Sequence, residues 1–153
     1  MSFKSRTIGL LIALVLSVAP LAVSADQEGA ITALKGLNDR FNEAASNHDA
    51  AGILSLYADD TVWIAPGKPA VKGLEEPRKL FEFVTSNKGD VSHSIDTLFV
   101  SDDGTLAVMI GSVDAKIESA GMDATGTFLY VLRPGDEGWE VAADMWHQHE
   151  EQR

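Results

Sequence analysis

Near Val91 the hydrophobic period of this 153-residue chain changes from about three and a half residues to two, and few single-domain architectures accommodate both halves. Upstream, Ile31, Leu34, Leu37, Phe41 and Ala45 form the apolar stripe of a helix predicted over Glu28 to Asn47. Ser46-Asn-His-Asp49 breaks that stripe, and Asp49 is placed to cap a second short helix with apolar positions Ile53, Leu54, Leu56 and Tyr57. A turn is expected at Ala58-Asp-Asp-Thr61, followed by a strand, Val62-Trp-Ile-Ala65, that Pro66-Gly67 stops. Glu75, Glu76 and Pro77 suit the first turn of a third helix, which Leu80, Phe81 and Val84 continue.

Downstream, the runs Val91 to Val100, Thr105 to Glu118, Ala124 to Arg133 and Trp139 to Glu150 are β-rich. Asp102-Asp-Gly104, Ser119-Ala-Gly121 and Pro134-Gly-Asp-Glu-Gly138 separate them as turns, which gives consecutive antiparallel hairpins. The order helix, helix, strand, helix and four strands predicts an α+β domain, with three helices on one face of a strongly curved, mostly antiparallel sheet.

The first 25 residues are of another kind. Lys4 and Arg6 precede the apolar run Ile8 to Ala19, Pro20 closes it, and Val23-Ser-Ala25 supplies small residues at cleavage spacing. The run is shorter than the roughly 20 apolar residues that span a bilayer. It therefore predicts a secretory signal peptide over 1–25, a domain over 26–153, and a periplasmic or secreted protein with no membrane contact after cleavage. No cysteine is present, so neither a lipid anchor nor disulfide or thiolate chemistry is available. The chain carries 23 acidic and 12 basic residues, a net charge of −11, and such a surface repels nucleic acid. With 45% hydrophobic and 23% charged residues it has the composition of a globular core.

The stretch Phe41 to Trp63, FNEAASNHDAAGILSLYADDTVW, resembles the opening of the SnoaL-like and ketosteroid-isomerase-like superfamily. Its members share the cone-shaped fold of nuclear transport factor two. The ending Gly138 to Trp146, GWEVAADMW, is most similar to the stand-alone SnoaL-like proteins. The resemblance covers residues 28 to 149 and implies a pocket in the mouth of the cone and a homodimer through the outer sheet face. It leaves the reaction open, because the superfamily hosts isomerases, dehydratases, epoxide hydrolases and non-catalytic binding or association domains.

Phe41, Tyr57, Trp63, Met109, Phe128, Tyr130 and Met145 supply the large apolar surface expected of such a pocket, although each also reads as ordinary core. The isomerase machinery, a tyrosine, a carboxylate base and a protonated acid, would fall by this resemblance at Phe41, at Ala65 and near Phe128. All three groups are missing.

Histidines are the remaining acid–base candidates. Strict alternation along the last strand puts Val141, Ala143, Met145 and His147 on one face, which the resemblance makes the concave one, and His93 could face the same space. Asp144 then falls on the outer face, where it would pair with Lys116 or Arg133. His147-Gln-His149 lacks a fixed third ligand, so no metal is assigned, and no cofactor motif is found. The acidic pairs Asp59-Asp60, Asp102-Asp103 and Asp136-Glu137 are expected in turns, as solvated surface.

Three readings follow. The first is an exported domain that holds a small apolar or amphipathic molecule. The second is a cofactor-independent isomerase, dehydratase or hydrolase using His147 and His93. The third is an association module whose cone is filled.

Overall fold

The computed structural model describes residues 25–149, so the predicted signal segment lies, except for Ala25, outside the described residues. Helix α1 (Ala25–Ser46) buries Leu34, Leu37, Phe41 and Ala45 of the expected stripe and leaves Ile31 half-buried. Asp49 caps α2 (Ala50–Leu54), its carboxylate accepting from the Gly52 amide at 2.9 Å. Helix α3 (Glu75–Ser86) has Glu75 and Glu76 in its first turn, Pro77 buried behind them, and Phe81 and Val84 turned inward. Lys79 bridges both glutamates at 2.8 Å. Among the described residues no helix is long and apolar enough to cross a membrane.

The strands are β1 (Tyr57–Ile64), β2 (Val71–Lys72), β3 (Asp90–Val100), β4 (Ala107–Ile117), β5 (Met122–Gly135) and β6 (Gly138–Gln148). They form one sheet in the order β2-β1-β6-β5-β4-β3. Neighbours are antiparallel except β1 and β6, which run parallel. Register irregularities bend the sheet: one in β3 between Ile95 and Thr97, one where β5 meets β6, and one in β1 between Tyr57 and Val62.

Three expectations need correction here. Ala58 to Thr61 is strand rather than turn, because β1 starts at Tyr57, which pairs with Val141 of β6. Asp59 and Asp60 stay exposed on it, and Asp60 holds the Arg133 guanidinium. Strand β2 is a two-residue edge with both residues exposed, too short for any periodic signal.

The third correction concerns β6. Val131 opposes Ala143, whereas Leu132 opposes Val141, so Ala142 is an extra residue without a partner. One extra residue reverses the alternation beyond it. Val141 faces inward, but so then do Asp144 and Trp146, while Met145 and His147 turn to the outer face, Met145 being 41% exposed. On that outer face, Ile64, Met145, Leu129 and Ile110 stand side by side across four strands.

The core lies between the inner sheet face and α1 and α3, where Leu34, Leu37, Phe41, Phe81, Met109, Phe128, Tyr130, Leu132 and Val141 pack together.

Candidate functional site

Cross-strand pairing builds the inner wall. Tyr130 lies opposite Asp144 and Phe128 opposite Trp146. On the far side of β5, Gly111 lies opposite Phe128, leaving the space above it free for the ring. Helix α1 adds Phe41 and α3 adds Leu80, Phe81 and Val84. These groups enclose a cavity of about 100 Å³ that Trp63 and His93 also line. Beyond it, Trp63, Leu80 and Trp146 also wall an outer cleft of about 610 Å³, whose rim carries Ala65, Lys68, Glu76, Lys79 and Phe83.

A chain of polar groups crosses the interior, where Asn38 and Thr61 are the other buried polar side chains among the described residues. The Tyr57 hydroxyl donates to Asp144 Oδ2 at 2.8 Å and lies 3.1 Å from the Tyr130 hydroxyl, which in turn lies 3.4 Å from His93 Nδ1. Asp144 is 4% exposed, and its second oxygen, Oδ1, is buried with no hydrogen-bond partner. Burial pushes its carboxyl up to about 7, with the Tyr57 hydrogen bond opposing the shift. Both phenols are raised well above their ordinary value, first by burial and then by the neighbouring Asp144 charge. Such a carboxyl can gain or lose a proton near neutrality beside two phenols that stay protonated.

His93 is held differently. Its ring lies between Phe41, with centroids 3.9 Å apart and planes at 7°, and Phe128, at 4.3 Å and 18°. Burial pulls its imidazole down to about 3, so it is neutral at physiological pH. The backbone beneath it is clamped by α1. Asn42 accepts from the His93 amide at 2.8 Å and donates to the His93 carbonyl at 2.9 Å, while Asn38 reaches the same carbonyl at 3.3 Å. Strand β3 is the sheet edge, so these side-chain amides take the place of a missing neighbouring strand.

Of the residues singled out in the sequence, Phe41, Trp63, Phe128, Tyr130 and His93 line the cavity. Tyr57 is buried and joins the polar chain, and Met109 is fully buried in the core. Met145 and His147 face away from the cavity, on the outer side of the sheet. Asp144 is inside, not on the outer face, because the extra residue Ala142 turned it there. The cations expected to pair with it are engaged elsewhere, Lys116 with Glu118 and Arg133 with Asp60 and Glu140. His149 sits beside His147 with ring centroids 6.1 Å apart and meets the Thr127 hydroxyl at 2.9 Å. Among the described residues no three metal-ligating side chains converge. Sequence reasoning missed Trp146, Leu80, Phe81 and the Asn42 clamp.

A family model described as SnoaL-like domain matches residues 38–143. No curated protein matches the sequence. Among solved structures, a nuclear transport factor two-like protein of unknown function from Shewanella oneidensis superposes with a TM-score of 0.65 at 18% identity, covering 76% of this chain and 97% of that one. A ketosteroid isomerase-like protein from Erwinia carotovora atroseptica gives 0.63 at 20% identity over 78% and 95%. A candidate calcium/calmodulin-dependent protein kinase II association domain from Xanthomonas campestris gives 0.64 at 19% over 93% and 100%. At these identities the likeness is one of fold.

Proposed function

The chain belongs to the SnoaL-like domain family, and on that premise we propose that it is an exported protein that binds a small, mainly apolar molecule between the sheet and the helices. One observation carries this reading: an aromatic-walled cavity is lined by Asp144, whose buried oxygen Oδ1 has no hydrogen-bond partner among the described residues. A buried polar atom without a partner is costly, and a bound molecule that supplies the partner removes that cost. Apolar walls with a few convergent polar groups are the usual make-up of a small-molecule site. Export is supported by the basic, apolar and small-residue pattern of residues 1–25.

Native mass spectrometry of the protein purified from the cells that make it tests the reading. An organic adduct that leaves on denaturation is expected. A bare mass, with no saturable binding of apolar probes, would sink it.

A second reading, cofactor-independent acid–base catalysis, draws on the Asp144 carboxyl lying near neutrality against Tyr57. In that reading His147 has no part and His93 only shapes the pocket, since a neutral imidazole pulled down to about 3 is a poor base. The proposed homodimer would use the outer sheet face, where Ile64, Met145, Leu129 and Ile110 offer a continuous apolar row.

A further inference from the structure

We propose that the group held against Asp144 is a cation, a protonated amine or quaternary ammonium at one end of an apolar molecule. The inference rests on the small-molecule reading above and specifies its chemistry.

Charge balance is the first argument. Asp144 is buried, and among the described residues no lysine or arginine lines its cavity. The groups that face it are Tyr57 from β1, Tyr130 from β5 and, beyond Tyr130, His93 from β3; α1 and α3 present only apolar side chains there. Tyr57 already serves Oδ2 as a neutral donor, and what the site lacks is positive charge at Oδ1. A buried carboxylate without a cation is unfavourable, and one matched by a ligand cation is not.

The walls are the second argument. Phe41, Trp63, Phe81, Phe128 and Tyr130 surround the cavity, and the faces of aromatic rings attract cations, most strongly where water is excluded. Size is the third. About 100 Å³ suits a headgroup rather than a whole ligand, for which sites of roughly 300–1,000 Å³ are usual. The outer cleft behind Trp63, Leu80 and Trp146 has room for the remainder. Among the described residues its one lining carboxylate, Glu76, is already bonded to Lys79 at 2.8 Å, so these residues of the rim offer a cation no comparable partner.

Calorimetric titration of the purified protein with phenethylamine and its neutral isostere phenethyl alcohol, at pH 6 and pH 8, tests this. A primary ammonium stays charged across that range. The amine should bind at least tenfold more tightly than the alcohol at pH 8. By pH 6 that preference should shrink about tenfold, because Asp144 must then release a proton to receive the cation. In buffers of different ionisation enthalpy, close to one proton should leave per amine bound at pH 6, a readout that needs no variant. Asp144→Asn should keep the alcohol and lose the amine preference. Equal affinity for the two probes at pH 8, absence of proton release, or an amine preference surviving in Asp144→Asn would each overturn the cation while leaving the cavity as a small-molecule site. Failure of both probes to bind would overturn both.

Discussion

Tyr57 and Asp144, 87 residues apart, share a buried hydrogen bond of 2.8 Å across the only parallel seam of the described sheet, where β1 meets β6. The bond ties the start of the first strand to the middle of the last. It also puts the one buried carboxyl among the described residues where its ionisation touches both stability and binding.

That ionisation has a counterpart of opposite sign. Asp144 is raised from 3.8 to about 7, so the folded state holds its proton longer, and stability present below about pH 4 is lost as pH rises toward 7. His93 is lowered from 6.5 to about 3, so stability present above pH 6.5 is lost as pH falls toward 3. Each effect is on the order of 4 kcal/mol, and between about pH 4 and 6.5 they oppose one another. Asp144→Asn should therefore make stability rise with pH in this window relative to the wild type, and His93→Phe should make it fall. Denaturant titrations at pH 4, 5, 6 and 7 measure both, and profiles parallel to the wild type in the two variants would refute the pairing.

Asn42→Ala removes the partner of the His93 amide and the nearer of the two donors to its carbonyl, leaving Asn38 at 3.3 Å. A loss of about 2 kcal/mol is expected, together with faster hydrogen exchange at the His93 amide. Unchanged exchange would mean that water replaces the clamp without cost.

At Gly111 a methyl group would collide with the Ser94 carbonyl and come within 2.7 Å of the Phe128 ring. Gly111→Ala should destabilise by about 1–3 kcal/mol and reduce ligand occupancy, because Phe128 can move only into the cavity or onto His93. A crystal structure of the variant with Phe128 in place would contradict this.

Met145→Lys and Val141→Lys separate the two faces of β6. Met145 is 41% exposed and Val141 fully buried, so the first should fold within about 0.5 kcal/mol of the wild type and the second should fail to fold. If the outer face forms the dimer, Met145→Lys should also halve the mass seen by light scattering. His147→Gln, on the same outer face, should leave retention of a bound molecule intact; loss of the adduct in that variant would place the histidine nearer the ligand than β6 allows.

The long elements were legible because their signals are redundant: five apolar residues mark α1, and turn residues bracket each hairpin. The start of β1 was not, since Asp59 and Asp60 look like a turn and only pairing with β6 makes them strand. The aromatic walls could be read from residue type. The orientation of Asp144 could not be read from strict alternation, yet a trace of it is present. Val141 and Trp146 are both large and apolar but five residues apart, an odd spacing that a regular strand cannot place on one face. The small pair Ala142-Ala143 between them is where an extra residue fits. The Asn42 clamp left no such trace, because a polar residue on a helix flank is indistinguishable from solvent-facing surface until the edge strand lies beside it.

Ala142 gives β6 an odd count between two even ladders, so the strand encodes two alternative linings in one stretch of sequence. With Ala142 taken up as a paired residue of a regular ladder, the thioether and imidazole of Met145 and His147 would replace the carboxyl and indole of Asp144 and Trp146 on the inner face, with every side chain retained, whereas deletion of Ala142 would leave Val141 and Asp144 two positions apart and the lining as it is. In this architecture the place where the ladder slips sets the chemistry of the chamber, with no change of residue type.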